Sequence, residues 1–130
     1  MKRDEIRQKI FARKATETQT VEAFDTSIVL HKSSFADIEN ARKGSIDEGT
    51  FRADWYNLAL LVQSARDEDG ELIFERLDRD ELLALDGVEL DRLVTSLLRL
   101  NGMMAGDREA RKNDSGRTDS DEPSSASAGS

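Results

Sequence analysis

The sequence predicts an α+β domain, mostly helical, with a β-hairpin near its N-terminus and a disordered C-terminal tail. Three observations carry this. Residues 19–32, within "TQTVEAFDTSIVLHKS", alternate apolar and polar side chains with a period of two. Residues 51–66 and 88–101 repeat apolar residues at helical spacing. From Asp114 the chain turns to "DSGRTDSDEPSSASAGS", which holds the only proline and too few apolar groups to fold. With 130 residues in all, one domain over 1–113 and a tail over 114–130 account for the chain.

Residues 1–14 carry six Lys/Arg against Asp4 and Glu5, with Ile6, Ile10 and Phe11 as a narrow apolar stripe. That spacing predicts a short basic helix, which either lies on the domain or serves as an arm for a partner. In the hairpin, Val21 and Ala23 alternate with Glu22, and Ile28 and Leu30 alternate with Ser27 and Val29. The turn is expected at Asp25–Thr26. Ser34 with Asp37 three residues on resembles a capping box, and Gly44 closes the helix it opens. "SIDEG" reads as a connecting loop, with Thr50 as the N-cap of the next helix.

In "FRADWYNLALLVQSA", Phe51, Trp55, Leu58, Val62 and Ala65 recur on one face, while Tyr56, Leu60 and Leu61 add a second. A helix apolar on two faces is sandwiched, or it offers one face to a partner. Trp55 fits a core role or an interface anchor. If the first face is inward, Tyr56, Leu60 and Leu61 are surplus apolar surface and the first candidates for protein binding. Ile6, Ile10 and Phe11 are the second. Further on, "RDEDG" is a turn and "ELIFE" a short extended segment. Asp78 with Glu81 is a second capping-box pattern, opening "RDELLAL". The last helix turns Leu90, Leu93, Val94, Leu97 and Leu100 inward and ends at Gly102. "MMAGDREARKN" adds at most a weak further turn.

The acidic loop invites a calcium reading, which its spacing defeats. With Gly70 at position 6 of an EF-hand loop, Asp67 and Asp69 fall at positions 3 and 5, but position 1 is Ala65 and position 12 is Arg76. A methyl group replaces the first ligand and a cation the bidentate carboxylate, so the stretch reads as a turn in which Asp closes an Asx-turn and Gly takes positive φ. Without cysteine there is no thiol nucleophile, disulfide or zinc–thiolate site, and His31 has no second histidine to work with. Neither a nucleophile elbow nor a phosphate-binding loop is present. A net charge of -8 disfavours nucleic acid and anionic membranes, and no apolar run approaches the ~20 residues that span a bilayer. A binding protein without catalytic residues, metal or cofactor is the class that is left.

The order of elements resembles the tail assembly chaperones of long-tailed, lambda-like bacteriophages. In that family an apolar helix runs into an Asp-x-x-Gly turn, a short segment with Phe, an acidic-leucine stretch, and a closing helix that ends near Leu-Asn-Gly before a later Lys-Asn. The corresponding residues here are Asp67, Gly70, Phe74, Asp80, Leu83, Leu100, Asn101, Gly102, Lys112 and Asn113. The resemblance covers roughly residues 1–113; its motifs are loose singly, and their order carries it. It implies a protein of the bacterial host cytoplasm, absent from the mature virion, which binds and solubilises the tape measure protein and helps recruit major tail tube subunits. Some members also occur as a frameshifted longer form. Two other classes remain open at this point: a structural tail completion or connector protein, and a small protein-binding regulator.

Overall fold

A computed structural model describes residues 2–104, and within them the α+β class holds. The tail over 114–130, the possible turn after Met103 and the Lys112–Asn113 pair lie outside the described residues. Helix α1 spans Arg3–Ala12, strands β1 and β2 span Thr18–Ala23 and Thr26–His31, and helix α2 spans Phe35–Lys43. A two-residue pair follows, β3 at Ile46–Asp47 and β4 at Thr50–Phe51. Then come helix α3 at Ala53–Ser64 and the short strand β5 at Ala65–Arg66. A 3₁₀ turn at Arg76–Asp78 leads into helix α4 at Arg79–Leu83, and helix α5 at Gly87–Leu100 closes the fold.

The alternation in β1 and β2 is the one read from sequence: Val21, Ala23, Ile28 and Leu30 are buried and their neighbours are not. The two strands pair antiparallel, with Val21 opposite Ile28 and Ala23 opposite Thr26. Their turn is Phe24–Asp25, one residue earlier than expected, with φ of 53° and 58°. Two successive positive φ values are what a tight two-residue hairpin needs, and phenylalanine rarely supplies one. Tertiary contacts hold it there. The Phe24 amide donates to Glu89 Oε1 at 2.7 Å, and the Phe24 ring packs against the core. On its other edge β2 pairs with β5, so the sheet order is β1-β2-β5 and Leu30, opposite Ala65, is fully enclosed.

Helix α5 is stitched to the hairpin at both ends. Asp86 caps it by accepting from the Val88 and Glu89 amides, and Glu89 in turn holds the hairpin turn. At the other end the Asn101 side chain accepts from the Ser33 amide and donates to the Ser33 hydroxyl, both at 2.9 Å. Gly102, at φ 69°, donates to Arg99 O while the Met103 amide donates to Leu98 O, which is a Schellman ending. Leu93 and Leu97 are buried, with Leu90, Val94 and Leu100 packed around them, as the spacing predicts.

Around α3 the structure corrects several expectations. "SIDEG" is not a plain loop: β3 and β4 form a small hairpin turned by Glu48 and Gly49, at φ 50° and 83°. Thr50 therefore lies in a strand instead of capping α3. The N-cap position is Arg52, whose guanidinium forks to Asp54 and Asp47. Phe51 is likewise outside the helix and half exposed, its ring 5.6 Å from that of Tyr56. Nor does Asp78 cap α4; its carboxylate reaches back to the Glu75 amide at 2.7 Å. The Ser34–Asp37 capping box and the Gly44 stop of α2 are as read.

The two apolar faces of α3 feed two packed clusters. Leu60 and Leu61 join Val21, Ile28, Leu30, Leu93 and Leu97 in the main core. Leu58 and Val62 join Leu82 in a smaller one, and Phe74 and Leu90 touch both. The helix is sandwiched. Helix α1 contributes no buried residue to either cluster.

Candidate functional site

The first candidates for partner binding, Tyr56, Leu60 and Leu61, do not form an exposed face. Leu60 and Leu61 have 0% relative exposure, and Tyr56 is half-buried against the main core. Reading them as surplus requires α3 to have a single inward face, whereas Leu60 and Leu61 pack into the main core and Leu58 and Val62 into the smaller one.

The second candidates are on the surface. Ile6, Ile10 and Phe11 are 42%, 60% and 59% exposed, on a helix of which no residue is buried. Residues four apart share a helix face, so Ile6 and Ile10 make one apolar ridge with Phe11 beside it. The Arg7 guanidinium lies 5.1 Å from the centre of the Phe11 ring, keeping a cation at the edge of the ridge. Lys9, Arg13 and Lys14 continue the positive charge. This surface can take the apolar stripe of another helix and favours one flanked by acids.

The acidic turn is built as its residues suggest. Asp67 Oδ1 accepts from the Asp69 and Glu71 amides, both at 2.9 Å, and Gly70 sits at φ 87°. An oxygen of Asp67 thus faces its own backbone. Among the described residues no group of three His, Asp or Glu is placed to hold a metal ion. His31 ends β2, and its amide and carbonyl are bridged by one hydroxyl, Ser64 Oγ accepting at 2.9 Å and donating at 2.6 Å. Burial, then the nearby Arg66 charge, holds the imidazole pKa below its usual value.

A cleft that the sequence did not reveal opens where α2, α3 and the start of α4 meet. Its volume is about 600 Å³. Buried apolar side chains from α2 and α3, Ala41, Leu58 and Val62, line it, together with half-buried Trp55. Three cations complete the lining: Lys43 at the end of α2, Arg76 on the 3₁₀ turn and Arg79 at the start of α4. The Arg79 guanidinium carbon is 3.5 Å from the centre of the Trp55 ring, and that of Arg52 is 4.8 Å from it. Trp55 is thus neither plain core nor a bare anchor; it is an aromatic surface loaded with positive charge. Arg52 spends its charge on Asp47 and Asp54, but Lys43, Arg76 and Arg79 have no carboxylate partner among the described residues. Arg79 Nε is buried and finds no acceptor there either. Trp55 three residues after Arg52 signals one of these stacks in the sequence; nothing local signals that Arg76 and Arg79 join it.

No helix among the described residues is long and apolar enough to cross a membrane. Compared with known proteins, the chain matches no family model, no curated protein and no solved structure.

Proposed function

We propose that this protein is a tail assembly chaperone of a long-tailed phage, which binds the tape measure protein through the exposed ridge of α1 and helps bring tail tube subunits to it. One observation carries the choice of surface: α1 exposes Ile6, Ile10 and Phe11 together and lends nothing to the core. An apolar ridge on a helix that the fold does not need suits a partner more than stability. A tape measure protein is a long helical chain whose apolar stripes aggregate when bare, and a helix laid along such a stripe shields it reversibly. The resemblance in element order supplies the partner. On this reading the protein does no chemistry and acts in the host cytoplasm before the virion is complete.

Co-expression tests it. The wild-type chain should keep the tape measure protein in the soluble fraction, and the triple variant Ile6→Ala, Ile10→Ala, Phe11→Ala should lose most of that effect while keeping a wild-type circular dichroism spectrum. A triple variant that solubilises the tape measure protein as well as wild type removes α1 from the function. Mass spectrometry of purified virions should find the tape measure and tube proteins without this chain. Its presence there at stoichiometric level would favour a connector.

A further inference from the structure

We propose that the cleft at Trp55 is a second docking site, which takes an acidic amphipathic peptide segment of a partner protein. An apolar side chain of that segment would enter against Leu58, Val62 and Trp55, and its carboxylates would pair with Lys43, Arg76 and Arg79. The inference rests on the residues of the cleft and stands or falls apart from the tail-assembly reading.

Charge is the first argument. The chain has 27 Asp/Glu against 19 Lys/Arg. Three cations from three separate elements line one cleft, and none has a carboxylate partner among the described residues. An anion entering the cleft would be met by cations from more than one side. Arg79 adds a directional requirement, because its buried Nε has no acceptor among the described residues and a carboxylate can accept from Nε and a terminal nitrogen at once.

Shape and lining then choose among anions. About 600 Å³ lies within the ~300–1,000 Å³ typical of ligand sites, more than one small anion fills. Buried leucine, valine and alanine in the lining favour a ligand that brings an apolar side chain along with its charge. Nucleic acid is disfavoured because a phosphate backbone brings no aliphatic side chain to the buried leucine, valine and alanine of the lining. A short peptide carrying a few carboxylates around an apolar anchor meets all three conditions.

Trp55 is the only tryptophan in the chain and stands in the cleft, so its fluorescence reports occupancy directly. The probe is a capped synthetic peptide of Glu, Leu and Ala, about 12 residues or three helical turns long, with leucines three and four apart. Titrated into the full chain, it should shift Trp55 emission saturably. The double variant Lys43→Gln, Arg76→Gln should weaken it about tenfold, and so should raising the salt from about 0.1 M to 1 M, where screening shortens from roughly 10 Å to 3 Å. Both substituted side chains are exposed, so the variant should keep its fold by circular dichroism. The α1 triple variant should bind the peptide as wild type does, which separates this site from the proposed chaperone surface. Equal binding of a peptide with Lys in place of Glu, or undiminished binding to the double variant, overturns the proposal. So does tighter binding of a single-stranded oligonucleotide, or neither an emission change nor heat on calorimetry.

Discussion

Replacing Leu60 with alanine asks whether α3 is a structural helix or a binding face. Leu60 is fully enclosed, in a cluster with Leu30, Leu61, Leu93 and Leu97, each at 0–1% exposure. Truncation there removes two methyl groups and a methine from a site walled by the sheet and by α5. Such leucine truncations cost about 2–5 kcal/mol. A domain of this size has only about 5–15 kcal/mol to lose. With a urea slope of about 1–3 kcal/mol per molar, the unfolding midpoint should fall by roughly 0.7–5 M. Leu77→Ala is the matched control: the same chemical change at 91% exposure should move stability by no more than about 0.5 kcal/mol. Urea melts followed by circular dichroism at 222 nm, a standard helix band, measure both. If Leu60→Ala melts with Leu77→Ala and wild type, the packing described for α3 is wrong and its second face is free after all.

Ser64→Ala removes the hydroxyl that both accepts from and donates to His31, and it should cost about 1–3 kcal/mol in the same melt, with Ser64→Thr restoring less than half because the site is closed. Asn101→Ala cuts the tie between the end of α5 and Ser33, and amide exchange should quicken at Ser33, with little change at Leu93 in the middle of the helix. The His31 imidazole is held below its usual pKa by burial and then by Arg66, so the unfolded chain takes up the proton first as pH falls. Stability from this group is therefore intact above about pH 6.5 and lost as pH drops through that value towards the folded pKa; His31→Gln should flatten the melt-versus-pH curve in that window alone.

How much of this was legible in the sequence follows from where each signal lives. Period-two alternation and leucine spacing are properties of single elements, so the hairpin, α5 and the Ser34 cap could be read directly. The hairpin turn slipped by one residue because Phe24 at positive φ is disfavoured locally and is held by Glu89, distant in sequence. Thr50 reads as a cap in the sequence because no local rule shows that Glu48–Gly49 closes a second hairpin around it. The candidate site was hardest. Tyr56, Leu60 and Leu61 looked surplus because one sequence cannot show how many sides of a helix are covered. The smaller cluster is built by Leu82 arriving from α4. The cleft draws Lys43, Trp55, Arg76 and Arg79 from across the fold, and no spacing rule links them.

The ridge of α1 and the cleft at Trp55 are both flanked by cations. Helix α1 surrounds its apolar ridge with Arg7, Lys9, Arg13 and Lys14, and the cleft surrounds its apolar lining with Lys43, Arg76 and Arg79. In a chain of net charge -8, cations set around apolar openings attract an acidic partner at those places. That arrangement orients an encounter before contact, over a range of about one screening length, ~8 Å in physiological salt. It also makes release easy, because ion pairs at a solvent-exposed edge contribute about 0–1 kcal/mol each, and the apolar patch they flank is small. Weak, oriented, salt-sensitive holding is what a transient assembly factor requires. A permanent structural subunit commonly buries a larger and more apolar interface, so the proposed chaperone role and the connector alternative differ in the salt sensitivity expected of the contact.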